Sequence, residues 1–179
     1  MPIKMTMNPL DLDLTAVSEL LAANYISAQV VTSLALERAT LINPKLNAFL
    51  DIREQKAMLQ AKAADESPRS SPLQGIPMAY KDCCAEVGRV MTAGSRLARM
   101  ADKVTATVVA RLEQAGAVEI GRLHLSELMA GPSGHNVFFG DGKNAWNPNY
   151  ISGGSSSGSG TAVATGCAFA SLGTDTGGS

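Results

Sequence analysis

Gly153-Gly154-Ser155-Ser156-Ser157-Gly158-Ser159-Gly160 runs straight into Thr161-Ala162-Val163-Ala164-Thr165, and how that join is read decides the fold. Composition alone describes a flexible glycine–serine linker. The stretch is short, however, and lies between apolar segments rather than between independent domains. It also fails as a phosphate cradle: it lacks the lysine of G-x-x-x-x-G-K-[ST], and no G-x-G-x-x-G follows a strand. A helix-like Thr161–Thr165 segment follows the cluster.

Downstream, Phe169–Leu172 reads as a strand that opens into Gly173-Thr174-Asp175-Thr176-Gly177-Gly178-Ser179. A serine behind two glycines suits nucleophilic work. Glycines let backbone approach a substrate closely, and successive N–H groups can converge on a developing oxyanion. Asp175 is expected to hydrogen-bond within its own turn. Upstream, Thr105–Ala115 is amphipathic, with Val108, Val109, Leu112 and Ala115 on one face; Gly116 stops it, and Ala117–Ile120 follows as a strand. Before that, Gly75 opens the apolar run Ile76–Tyr80, a buried strand ending at Lys81. Lysine at its ordinary pKa of about 10.4 is a poor base at neutral pH. Burial disfavours the charged form, so a lysine closing a buried strand is a candidate general base. The alternative is a surface lysine paired with Asp82.

The segment 1–72 reads as helical. Asp13 or Thr15 caps a helix through Val17, Leu20 and Leu21, and Ser27 caps a second whose Val30, Val31, Leu34, Leu41 and Ile42 share a face. Pro44 is expected to end that helix. A third runs from Ile52 to Ala64, and the proline- and serine-rich 66–72 is a loop. Helix, glycine stop and short apolar strand in succession predict an α/β sheet with helices packed on it.

The net charge of −1, spread without long like-charge runs, gives no reason to expect nucleic acid or an acidic membrane as partner. No signal-peptide pattern opens the chain, and no stretch approaches the ~20 apolar residues of a membrane span. Cytoplasmic localisation is expected. Cys83, Cys84 and Cys167 form neither a disulfide framework nor a zinc knuckle, and His124 and His135 lack partners at ligand spacing; no metal and no cofactor are expected. Trp146 reads as a packed loop residue, and Met58, Met78, Met91 and Met100 as scattered filler rather than a cofactor box.

Taken together, three segments resemble the amidase-signature family. Gly75-Ile76-Pro77 leading to Lys81-Asp82 is similar to that family's lysine motif, Gly153–Ser159 to its Gly/Ser signature, and Gly173–Ser179 to its nucleophile loop, in the family's order and spacing. The resemblance covers Leu73–Ser179 and is weaker in the helices before it. It implies N-terminal helices (1–72) followed by part of the family's mixed sheet with helices around it (73–179, an incomplete catalytic domain).

The resemblance further implies that Ser179 is the nucleophile, Ser155 the bridging serine on a cis Gly154–Ser155 peptide, and Lys81 the base. Ser156 helps orient the triad. The N–H groups of Thr176, Gly177, Gly178 and Ser179 would form the oxyanion hole, and Met129 and Gly131 would border the acyl pocket. The implied activity is cleavage of a carboxamide C–N bond through an acyl-enzyme, with a small-molecule amide as substrate. The alternatives are the A subunit of a tRNA-dependent amidotransferase, a glutaminase working with partner subunits, or an inactive remnant. Self-association as a homo-oligomer is the other partnership it leaves open.

Two positions depart from the family pattern: Ser157 where glycine is frequent, and Cys83 where asparagine is frequent. The chain also lacks the Ile/Val-Arg-x-Pro segment expected after the nucleophile, so it is expected to be the N-terminal part of a longer active amidase, inactive and poorly folded alone.

Overall fold

A computed structural model describes residues 8–97 and 100–179. Of the opening stretch read for a signal peptide, residues 1–7 lie outside the described residues. Among these residues five α-helices surround a four-stranded sheet: α1 (Leu14–Ala22), α2 (Ala28–Leu46), β1 (Phe49–Ile52), α3 (Glu54–Glu66), β2 (Pro77–Lys81), α4 (Thr107–Gln114), β3 (Val118–Leu123), α5 (Ser157–Ala164) and β4 (Ala170–Leu172). No helix among the described residues is long and apolar enough to cross a membrane.

The sheet order is β1-β3-β2-β4. β2 pairs parallel with both β3 and β4, while β1 pairs antiparallel with β3. Strands β2 and β3 are buried along their whole length, as expected of central strands covered on both faces. The N-terminal part expected to be helical supplies β1 to this sheet, and its Val17, Val31, Ala35 and Phe49 share one core with Ile76, Tyr80, Ile120 and Leu123.

The helix caps follow side-chain chemistry. Asp13, rather than Thr15, accepts the Ala16 N–H at the start of α1, and Ser27 accepts the Val30 N–H at the start of α2. The buried face of α2 is carried by Ala28, Val31, Thr32, Ala35, Leu36 and Ala39, a helical period built on small residues. Val30 and Leu41, expected on that face, are exposed, and Leu34 and Ile42 only border the core.

Pro44 does not end α2. The helix continues to Leu46 and closes on Asn47 in the left-handed region, whose N–H donates to the Asn43 carbonyl. Asn43 meanwhile clamps both backbone groups of Phe49, accepting its N–H at 2.8 Å and donating to its carbonyl at 3.0 Å. That clamp and the burial of Leu46 offset the bond a proline removes from the last turn. Strand β1 has no counterpart among the sequence expectations: Ile52, expected to open the third helix, ends this strand, and the helix begins only at Glu54. Trp146, expected to pack, is 90% exposed.

Candidate active site

Because β2, β3 and β4 are parallel, their carboxyl ends lie at one edge of the sheet, where α/β proteins place ligands. Lys81 closes β2 at that edge, and the loop Gly173–Ser179 leaves β4 there. The backbone entering α5 brings Ser155 and Ser156 to the same place, across a cis Gly154–Ser155 peptide.

Lys81 is fully buried, and its Nζ has three partners: Ser155 Oγ at 2.6 Å, Thr174 Oγ1 at 2.7 Å and Ser156 Oγ at 2.9 Å. All three are hydroxyls. Asp82 is not a partner, because its carboxylate is taken by Arg89 and by the hydroxyl and N–H of Thr92. The surface-lysine alternative is thereby excluded. Burial pulls the Lys81 pKa below the ordinary 10.5, outweighing Cys83, Cys84 and Asp175, which act in the opposite direction.

Met129, Gly131 and Pro132 face Thr174 and Thr176–Ser179 across a cleft of about 410 Å³. The structure therefore brings the residues expected at the acyl pocket to the loop expected to carry the nucleophile. Leu128 and Met129 both adopt positive φ (51° and 63°), held by N–H bonds from Leu128 to Ala93 and from Met129 to Ser126. Left-handed backbone at consecutive non-glycine residues costs about 1–3 kcal/mol each, so it persists only where surroundings enforce it. Ser126 also supports the site from below, since its N–H donates to the Ser155 carbonyl at 3.1 Å and its hydroxyl to the Gly131 carbonyl.

The glycine turn is organised by Asp175, as its sequence suggests. Its carboxylate accepts the N–H groups of Gly178 at 2.7 Å and Ser179 at 3.0 Å. Two of the four N–H groups expected to form an oxyanion hole are thus engaged; those of Thr176 and Gly177 have no hydrogen-bond partner among the described residues. Ser155 and Ser179 are not directly hydrogen-bonded to one another. Sequence reasoning missed Thr174 as a partner of the lysine, although its place before Asp175 in the nucleophile loop was the available signal.

A larger cleft of about 600 Å³, bordered by Tyr25, Asp65 and Arg69, lies apart from this site. Its Asp65 carboxylate is occupied by the Ala28 and Gln29 N–H groups at the start of α2. Glu86, Glu113 and Glu119 converge as a metal site would, but on the Lys56 ammonium, at 2.6, 2.9 and 2.7 Å.

The model of the Amidase family matches residues 30–179. Among curated proteins, the chain is 43% identical over 158 residues to the A subunit of the glutamyl-tRNA(Gln) amidotransferase of Marinomonas sp. (strain MWYL1), covering 86% of this chain and 32% of that one. It is also 43% identical over 173 residues to the protein of the same name from Chloroflexus aurantiacus, covering 94% and 36%. Among solved structures, one described as an amidase superposes with a TM-score of 0.86 at 35% identity, covering 93% of this chain and 39% of that one. The peptide amidase of Stenotrophomonas maltophilia superposes with a TM-score of 0.80 at 28% identity, covering 88% and 35%. The chain spans about a third of the length of the curated relatives it matches.

Proposed function

The chain belongs to the amidase family, and we propose that it carries the base, the bridging hydroxyl and the nucleophile of a carboxamide-cleaving site in Lys81, Ser155 and Ser179. The observation that carries this reading is the surroundings of Lys81: a buried amine whose partners are hydroxyls and never a carboxylate. A lysine kept for an ion pair has an acid beside it; a lysine kept as a base needs groups that tolerate its neutral form.

Proton accounting supports the roles. A neutral lysine has two N–H donors and one lone pair. The Ser156 hydroxyl donates to the Thr174 carbonyl at 3.2 Å, so towards Lys81 it can only accept. With Thr174 Oγ1 taking the second N–H, the Ser155 hydroxyl is left to donate to the lone pair. Lys81 then draws a proton from Ser155 as Ser155 draws one from Ser179, and the Ser179 oxygen attacks the amide carbon. Collapse of the tetrahedral intermediate breaks the C–N bond, and the same relay returns the proton to the departing amine. Water repeats the sequence on the acyl-enzyme. The unpartnered N–H groups of Thr176 and Gly177 lie on the cleft loop, where they would receive the oxyanion, and the step requires that loop to bring Ser179 within hydrogen-bond reach of Ser155. Met129 and Gly131 border the acyl group.

The test is hydrolysis of an aryl amide by this sequence joined to the remaining two thirds of the Chloroflexus aurantiacus relative. The proposal requires turnover that is lost in Ser179→Ala, with an acyl-enzyme detectable by mass spectrometry; turnover unchanged in Ser179→Ala and Lys81→Met would overturn it. A second reading, a glutaminase that works within an amidotransferase complex, is favoured by the name borne by both 43%-identical relatives. Glutamine hydrolysis that appears only on addition of partner subunits would select it.

A further inference from the structure

His124 has no place in the relay, yet it is fully buried at the carboxyl end of β3, directly beneath the segment that delivers Ser155 and Ser156. Its two ring nitrogens face different partners: Nε2 lies 2.7 Å from the Gly140 carbonyl and Nδ1 lies 2.7 Å from the Ser157 hydroxyl. A carbonyl can only accept, so Nε2 carries the proton. Burial lowers the ring's pKa and so favours the neutral form, in which Nδ1 offers a lone pair to which Ser157 donates.

The start of α5 needs such an anchor. Ser156 occupies the helix cap position but makes no capping bond, because its hydroxyl is engaged with Lys81 and Thr174. The next residues are tied to His124 instead, through the Ser157 hydroxyl and through the Gly158 N–H, which donates to the His124 carbonyl at 3.0 Å. At Gly158 an added Cβ would stand 2.5 Å from the His124 nitrogen, so the helix start rests directly on this residue.

We propose that His124, as its Nε2–H tautomer, is a positioning residue that holds the Ser155–Ser156 hydroxyls against Lys81 through Ser157. This rests on the relay proposed above. When the anchor is lost, Ser155 and Ser156 drift, water reaches the amine, and the Lys81 titration midpoint moves up towards the ordinary lysine value.

The experiment is a pH titration of the Lys81 13Cε signal in this sequence joined to the remaining two thirds of the Chloroflexus aurantiacus relative, with long-range 15N spectroscopy of the His124 ring. His124→Gln places a donor near the Nε2 position and abandons Ser157; His124→Asn keeps an acceptor near the Nδ1 position and abandons Gly140. The proposal predicts a rise of about one pH unit in His124→Gln and in Ser157→Ala, with His124→Asn retaining the original midpoint. A merely structural histidine would make both His124 variants alike. An unmoved midpoint in His124→Gln and Ser157→Ala overturns the inference, and so does an Nδ1–H tautomer, which is read in the unaltered chain and does not depend on any variant folding. An ordinary midpoint in the unaltered chain overturns the relay itself and with it the purpose assigned to His124.

Discussion

The Lys81 Nζ lies 2.6 Å from the Ser155 hydroxyl, with neither residue exposed to solvent. Seventy-four positions separate them in the chain, and the fold uses a central buried strand for one and a glycine-flanked turn for the other to make them meet. Charging an amine away from water is costly, so burial in that setting lowers the Lys81 pKa.

In a chain of the family's length, Lys81→Met is predicted to lower amide hydrolysis by about 10²–10⁴-fold, the usual contribution of a positioned base. Steady-state kinetics should show the loss in kcat with little change in KM. Since the proposed relay uses the neutral amine, the unaltered enzyme should gain activity as pH rises through the depressed Lys81 pKa, and this limb should vanish in the variant's residual rate.

The network of Arg53, Lys56 and Arg122 around Glu86, Glu113 and Glu119 predicts acid sensitivity. Burial alone would raise the Glu86 pKa, but hydrogen bonds and charge from Lys56 and Arg53 outweigh it and bring it from 4.5 down to about 2. A depressed carboxylate stabilises the fold above its unfolded pKa and loses that contribution as pH falls through the folded one. Urea midpoints should therefore fall between pH 4.5 and about 2. Glu86→Gln should flatten that dependence and cost about 3 kcal/mol at neutral pH, by stranding its cationic partners.

Two glycines of the same helix should respond oppositely to alanine. A Cβ at Gly158 would stand 2.2 Å from the Ala48 carbonyl oxygen and 2.5 Å from the His124 nitrogen, both backbone atoms that cannot swing aside. Gly158→Ala is predicted to destabilise by roughly 3 kcal/mol. At Gly160 an added Cβ meets nothing, and Gly160→Ala should stabilise by about 0.5–1 kcal/mol through its helix propensity. Thermal unfolding of the two variants measures both.

The elements legible in the sequence were those announced by local chemistry: the caps at Asp13 and Ser27, the apolar run into Lys81, and the glycine turn closed by Asp175. The elements that were not legible owe their form to distant partners. Pro44 stays helical because Asn43 clamps Phe49 and Leu46 is buried, and β1 exists because β3 lies beside it. Helix α5 begins at Ser157, earlier than the glycines suggested, because Gly158 serves close packing on Ala48 and His124 rather than flexibility. In the proposed site, Lys81 stood out by its place at the end of an apolar strand and Ser179 by the two glycines before it, while Ser155 came from the family resemblance. Thr174 and His124 did not, since a threonine and a lone histidine acquire roles only from what the folded chain sets against them.

The most direct measurement is the charge state of Lys81, followed by its 13Cε shift from neutral to alkaline pH in this sequence joined to the remaining two thirds of the Chloroflexus aurantiacus relative. The account predicts a midpoint clearly below 10.5, with the amine becoming neutral earlier than any exposed lysine of the same chain. A midpoint at the exposed-lysine value would contradict it, for a lysine that keeps its charge cannot take the proton from Ser155.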